Sequence, residues 1–81
     1  MTTDDLATSV LALVGGPANV ERLTHCVSRL RFVLTDPDQA DDAALQSLDG
    51  VVMVIRQSGQ VQVAVRSGLM DLHAAVAARL G

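Results

Sequence analysis

Leu23-Thr24-His25-Cys26-Val27-Ser28-Arg29-Leu30-Arg31-Phe32 contains the chain's only cysteine, its only phenylalanine, two of its six arginines and one of its two histidines. From Arg29 to Leu34 the residues alternate, with Leu30, Phe32 and Leu34 on one side and Arg29, Arg31 and Val33 on the other. A period of two belongs to a half-buried β-strand, here with an apolar face for a core and a face carrying two guanidinium groups. Same-face neighbours on a strand lie about 7 Å apart, close enough for both arginines to close on one anion. Just before the strand, Cys26-Val27-Ser28 reads as a turn. A thiol on a turn with arginines behind it sits in electropositive, accessible surroundings, which favour the nucleophilic thiolate.

Outward from this stretch, Asn19 to Cys26 reads as a partner strand, with Val20, Arg22 and Thr24 opposed to Glu21, Leu23 and His25. The cysteine turn is then the tip of a β-hairpin. Upstream, Thr2 or Thr3 followed by Asp4 and Asp5 signals a helix start. Leu6, Val10, Leu13 and Val14 follow helical spacing, and Gly15-Gly16-Pro17 stops the helix. Downstream, Thr35-Asp36-Pro37-Asp38 is a loop, and Asp41 or Asp42 caps a short helix carrying Ala44, Leu45 and Leu48, ended by Asp49-Gly50. Val51 to Arg56 is a continuous apolar and β-branched run, which predicts a strand covered on at least one face. Gln57-Ser58-Gly59-Gln60 is a turn, and Val61, Val63 and Val65 then alternate with Gln60, Gln62 and Ala64, giving a second hairpin. Ser67 is expected to cap a last helix with Leu69, Leu72, Val76 and Leu80 on one face. The expected fold is an α+β open-faced sandwich of order α-β-β-α-β-β-α. Two β-hairpins form a four-stranded antiparallel sheet, with helices on one face.

Eighty-one residues suit a single domain, 1–81, with a modest core. Nearly half the residues are apolar, which excludes a disordered tail, and with one aromatic ring the core must be aliphatic. No apolar run reaches bilayer length and the acidic start is no signal peptide, so a cytoplasmic protein without direct membrane insertion is expected. A lone cysteine makes no internal disulfide and no structural zinc site, and neither a metal nor another cofactor is expected. A formal charge of −3 without a single lysine argues against nucleic acid as partner.

The stretch 23–31 resembles the active-site segment of the IIB domains of the sugar phosphotransferase system, glucose and glucoside (sucrose-type) branch, which reads leucine-x-x-cysteine-x-threonine-arginine-leucine-arginine. Gly15-Gly16-Pro17-Ala18-Asn19-Val20 is similar to that family's glycine-glycine-x-x-asparagine-isoleucine lead into the first strand. Gly50-Val51 and Gly59-Gln60-Val61-Gln62-Val63 are similar to its second hairpin. The likeness runs over essentially the whole chain. Ser28 stands where threonine is usual and keeps the hydroxyl. Arg66-Ser67 stand where the family often has Gly-Pro, which puts the start of the last helix in question. His25 before the cysteine is more typical of glucoside and disaccharide members.

The resemblance implies a phosphoryl carrier in bacterial sugar uptake, a transferase with a phosphocysteine intermediate. Cys26 would take a phosphoryl group from a phosphohistidine on a IIA protein and pass it to a sugar bound by a membrane-embedded IIC permease, at the inner face of the cell membrane. Arg29, Arg31, Ser28 and the turn N–H groups, Val27 among them, would hold the phosphate. Taken singly, the same residues have plainer readings. A free cysteine is commonly buried and inert, alternating arginines are commonly a solvated face, and Ser28 is an ordinary turn residue. His25 and His73 are assigned no role, and Gln60 and Gln62 face either solvent or a partner. Two other functions compete: a non-catalytic interaction or regulatory module that keeps the fold, and a thiol redox sensor, which would have no resolving cysteine. The sugar is not legible, because selectivity lies with the membrane partner.

Overall fold

Thr2 opens the chain's first helix as the residues dictate. Its hydroxyl accepts the Asp5 N–H at 3.1 Å and the Asp5 carboxylate accepts the Thr2 N–H at 3.4 Å, a reciprocal cap that satisfies two otherwise orphaned donors. This helix, α1 (Thr3–Leu13), buries Ala7, Val10 and Leu11. The structure, a computed structural model, describes residues 2–80. After α1 come β1 (Val20–His25), β2 (Arg29–Leu34), α2 (Asp42–Gln46), β3 (Val51–Gln57), β4 (Gln60–Val65) and α3 (Leu69–Leu80). The expected order of helices and strands holds. Two single 3-10 turns, Pro17–Asn19 and Pro37–Gln39, intervene; the first takes in Asn19, the residue at which the first strand is expected to begin.

The four strands form one antiparallel sheet in the order β1-β2-β4-β3. The second hairpin is therefore laid beside the first through β4, which leaves β1 and β3 as edges. Leu30, Phe32 and Leu34 of β2, with Val61 and Val63 of β4 and Val51 of β3, point to the side where α1, α2 and α3 lie. Those helices contribute Ala7, Val10, Leu11, Leu45, Leu72 and Val76. The opposite face bears Arg22, Thr24, Arg29, Arg31 and Gln62 and receives no helix, since such a face cannot be buried without partners for each polar group.

Two expectations need correction, in β1 and at the start of the last helix. In β1 a bulge between Val20 and Arg22 breaks the alternation. Val20 lies opposite Leu34 and packs with Leu23 against the core instead of sharing a side with Arg22 and Thr24. β3 is covered on one face, as its apolar run predicts: Val51 is buried and Val54 packs against the core. It is an edge strand, bulged between Val51 and Met53, with Val52 and Met53 half-exposed at 53% and 49%. Its outer rim is closed by a side chain: Gln46 donates to the Val52 carbonyl at 2.8 Å and accepts the Val54 N–H at 3.0 Å. The last helix does not start from Ser67. Gly68, at φ +71°, precedes Leu69, and its carbonyl accepts the first helical bond from Leu72 at 2.9 Å.

Asn19 fastens the far end of the first hairpin. Its amide donates to the Val14 carbonyl (2.8 Å) and the Asp36 carbonyl (3.0 Å), and its oxygen accepts the Asp36 N–H (2.9 Å). A side chain on Gly15, which has φ +106°, would meet that amide at 2.6 Å. The first glycine of the Gly-Gly-x-x-Asn motif thus leaves the space that its asparagine occupies.

Candidate functional site

The two hairpins close differently, and the difference creates the site. Ser58 and Gly59 both have positive φ (55° and 74°), the two-residue turn whose twist matches that of its strands. Among the described residues Ser58 is the only non-glycine with positive φ, so Val27-Ser28 cannot make that turn. The Cys26 end is left partly open. Cys26 donates its N–H to the Arg29 carbonyl at 3.0 Å, while the reciprocal bond from the Arg29 N–H to the Cys26 carbonyl is not made among the described residues.

Cys26 is part-exposed at this tip, and Val27 beside it is 98% exposed. The Ser28 N–H is the strongest influence holding the Cys26 thiol below its ordinary ionisation range. Partial desolvation opposes it, and the Arg29 N–H and then the Arg31 guanidinium lower it further. Ser28 contributes through its backbone, and its carbonyl also accepts the Val65 N–H at 3.4 Å. Its hydroxyl has no partner among the described residues.

The two arginines of β2 part company. Arg31 turns to the thiol, and its buried Nε–H has no hydrogen-bond partner. Arg29 donates to Gln62 Oε1 at 2.9 Å. Gln62 lies directly across from Arg31 on β4, is only 2% exposed, and donates in turn to Gln60 Oε1 at 3.0 Å. From sequence alone Gln62 faces either solvent or a partner. It is a buried member of the arginine face. The signal was present, since Gln62 breaks a valine strand on its polar side, but its use depended on knowing that β4 and not β3 lies next to β2.

Charge is sorted to match. Arg56, Arg66 and Arg79 pair with Asp42, Asp49 and Asp4 at 2.8, 3.3 and 3.7 Å. Arg22, Arg29 and Arg31, all on the open face, have no carboxylate partner among the described residues. Of these three, Arg31 carries its uncompensated charge to the one thiol of an acidic chain. A cleft of about 220 Å³ lined by Leu34, Pro37 and residues 56–61 lies at the other end of β2 and β4 from Cys26. Among the described residues no group of three or more His, Cys, Asp or Glu side chains is placed to hold a metal ion, and no helix is long and apolar enough to cross a membrane.

An open-faced sheet that offers one activated thiol, two backbone N–H groups and a guanidinium at a protruding tip defines a thiol-presenting domain suited to anionic groups. The comparisons give that class a family. Residues 8–41 match the family model described as phosphotransferase system, EIIB. The chain is 37% identical over 90% of its length to the PTS system beta-glucoside-specific EIIBCA component of Halalkalibacterium halodurans, and 37% identical over 88% to the sucrose-specific EIIBC component of Klebsiella pneumoniae. It is 43% identical over 74% to the arbutin-, cellobiose-, and salicin-specific EIIBC component of Escherichia coli. The chain spans 12, 16 and 12% of the lengths of these three relatives. One domain of a PTS IIabc component from Clostridium difficile superposes with a TM-score of 0.83 at 26% identity, covering 98% of this chain and 82% of that one. The chain belongs to the IIB family of the sugar phosphotransferase system, within its glucoside branch.

Proposed function

We propose that this chain, with residues 1–81 as one IIB domain, carries a phosphoryl group on Cys26 during sugar uptake. It receives the group from a IIA phosphohistidine and delivers it to a sugar held by a IIC permease. The observation that carries this reading is the thiol at the open hairpin tip, with the Ser28 and Arg29 N–H groups and the Arg31 guanidinium around it. In the first step the Cys26 thiolate attacks phosphorus, the P–N bond breaks and its electron pair returns to the imidazole nitrogen. In the second a sugar hydroxyl attacks phosphorus and gives its proton to water or a base of the permease, and the S–P bond breaks with its pair returning to sulfur. A phosphocysteine bears close to two negative charges by analogy with other phosphorylated side chains. The orphaned Arg31 Nε–H supplies a donor for it whose desolvation was met on folding. The relatives are named as fused EIIBC or EIIBCA components, and this supports partners of both kinds and action at the inner face of the membrane. Their names point to β-glucosides or sucrose as the sugar class.

Incubation with phosphorylated IIA should add one phosphate, mapping to Cys26. Cys26→Ser should lose nearly all uptake, because a serine hydroxyl is far less nucleophilic near neutral pH than a partly ionised thiol. Phosphate on a histidine or serine would overturn the mechanism, and no uptake by the parent would favour a regulatory module.

A further inference from the structure

We propose that His25 is a positioning residue for Cys26: by binding the Cys26 carbonyl it keeps the hairpin tip open and leaves the Arg29 N–H free for the sulfur. The inference rests on the reading of Cys26 as the nucleophile. His25 Nδ1 lies 3.0 Å from the Cys26 carbonyl oxygen. A carbonyl only accepts, so Nδ1 carries the proton and donates. The Cys26 and Arg29 backbones face each other as a strand pair that exchanges one hydrogen bond instead of two. In an ordinary hairpin the Cys26 carbonyl would take the Arg29 N–H. Here the imidazole occupies that carbonyl, and the Arg29 N–H is among the groups that favour the thiolate. The peptide plane is rigid, so holding the Cys26 carbonyl toward His25 also fixes the Val27 N–H in the opposite direction, away from the imidazole.

His25 is itself held. Its ring meets that of His73 on α3 edge-to-face, with centroids 4.8 Å apart and planes at 72°. The tip is thereby tied to the helical layer through two imidazoles. The charged group acting on the thiol is the Arg31 guanidinium, from β2, and Gln62 of β4 is neutral. No ion pair involves either histidine among the described residues.

The test uses the sole cysteine. The rate of alkylation by iodoacetamide across pH reads the ionisation of Cys26 without any partner protein. The amide nitrogen of asparagine can stand where Nδ1 stands, and that of glutamine where Nε2 stands. His25→Gln should move the profile to higher pH and slow alkylation near pH 7 about 3- to 10-fold, corresponding to roughly half to one unit of thiol pKa. His25→Asn should stay within about twofold of the parent, since it retains the donor. Equal profiles for all three proteins, or an asparagine variant as slow as the glutamine one, would overturn the inference. If the alkylation pattern holds while the parent takes no phosphate from IIA, the carrier reading fails and the positioning role of His25 stands.

Discussion

Arg29 and Arg31 leave β2 on the same side and end in different company, so their substitutions should not be equivalent. Arg31 faces the thiol with an unspent Nε–H, whereas Arg29 is bound to Gln62. When a phosphocysteine docks on a sugar-loaded partner it loses water, and fixed positive charge must replace that hydration. Accepting the group from IIA is less demanding, because the donor site brings stabilising groups of its own. Arg31→Gln should therefore still permit labelling of Cys26 by phosphorylated IIA while slowing sugar phosphorylation, in membranes containing the matching IIC, by about 100-fold, the scale of one lost transition-state donor. Arg29→Gln should slow it less, and lysine at position 31 should rescue poorly for want of the planar fork. Equal sugar phosphorylation by the parent and the Arg31→Gln variant would return Arg31 to an ordinary solvated strand face. The Cys26 ionisation gives a pH test of the same surroundings. Since its folded value is lowered, alkylation of the native chain should rise at lower pH than alkylation of the urea-unfolded chain, and coincident curves would remove the N–H and guanidinium contacts from the account.

The hairpins carry the second scale. Ser58 occupies a left-handed position (φ 55°) that asparagine tolerates better, and nothing surrounds Gly59 to clash with a new methyl group. Ser58→Asn should stabilise the chain by about 0.5 kcal/mol, and Gly59→Ala should destabilise it by about 1 kcal/mol through backbone strain alone. Thermal melts displaced in opposite directions would show it. Both hairpins were legible in the sequence because a local period of two and a Ser-Gly turn are local signals. The alternation over Arg29–Leu34 matches the burial of β2 residue by residue. What was not legible depends on partners far away in the chain. The placement of β4 between β2 and β3, and with it the burial of Gln62, is a choice of pairing that no short pattern specifies. The bulge near Glu21 likewise shifts Val20 without a glycine or proline to announce it. Ser67 looked like a cap by residue type, yet Gly68, with its positive φ, stands directly before the helix.

At the scale of the molecule, thirteen buried apolar residues among those described join three helices to one sheet face, and Phe32 is the largest of them, fully buried in mid-strand. Phe32→Ala should cost about 3–5 kcal/mol, a large share of the roughly 5–15 kcal/mol that holds a small domain folded. A melting point within a few degrees of the parent would contradict that packing. The same one-sided layering leaves the arginine face without a helical cover, while at the β3 edge α2 reaches across with Gln46. Of the two sheet edges, β3 has the more apolar strand, with exposed Val52 and Met53, and would be the natural place for one copy to zip onto another. The Gln46 amide engages both the carbonyl and the N–H that such a strand would need, much as the backbone of a neighbouring strand would. A polymer of sheets growing from β3 would first have to evict that glutamine, so crowding alone gives this rim little to recruit.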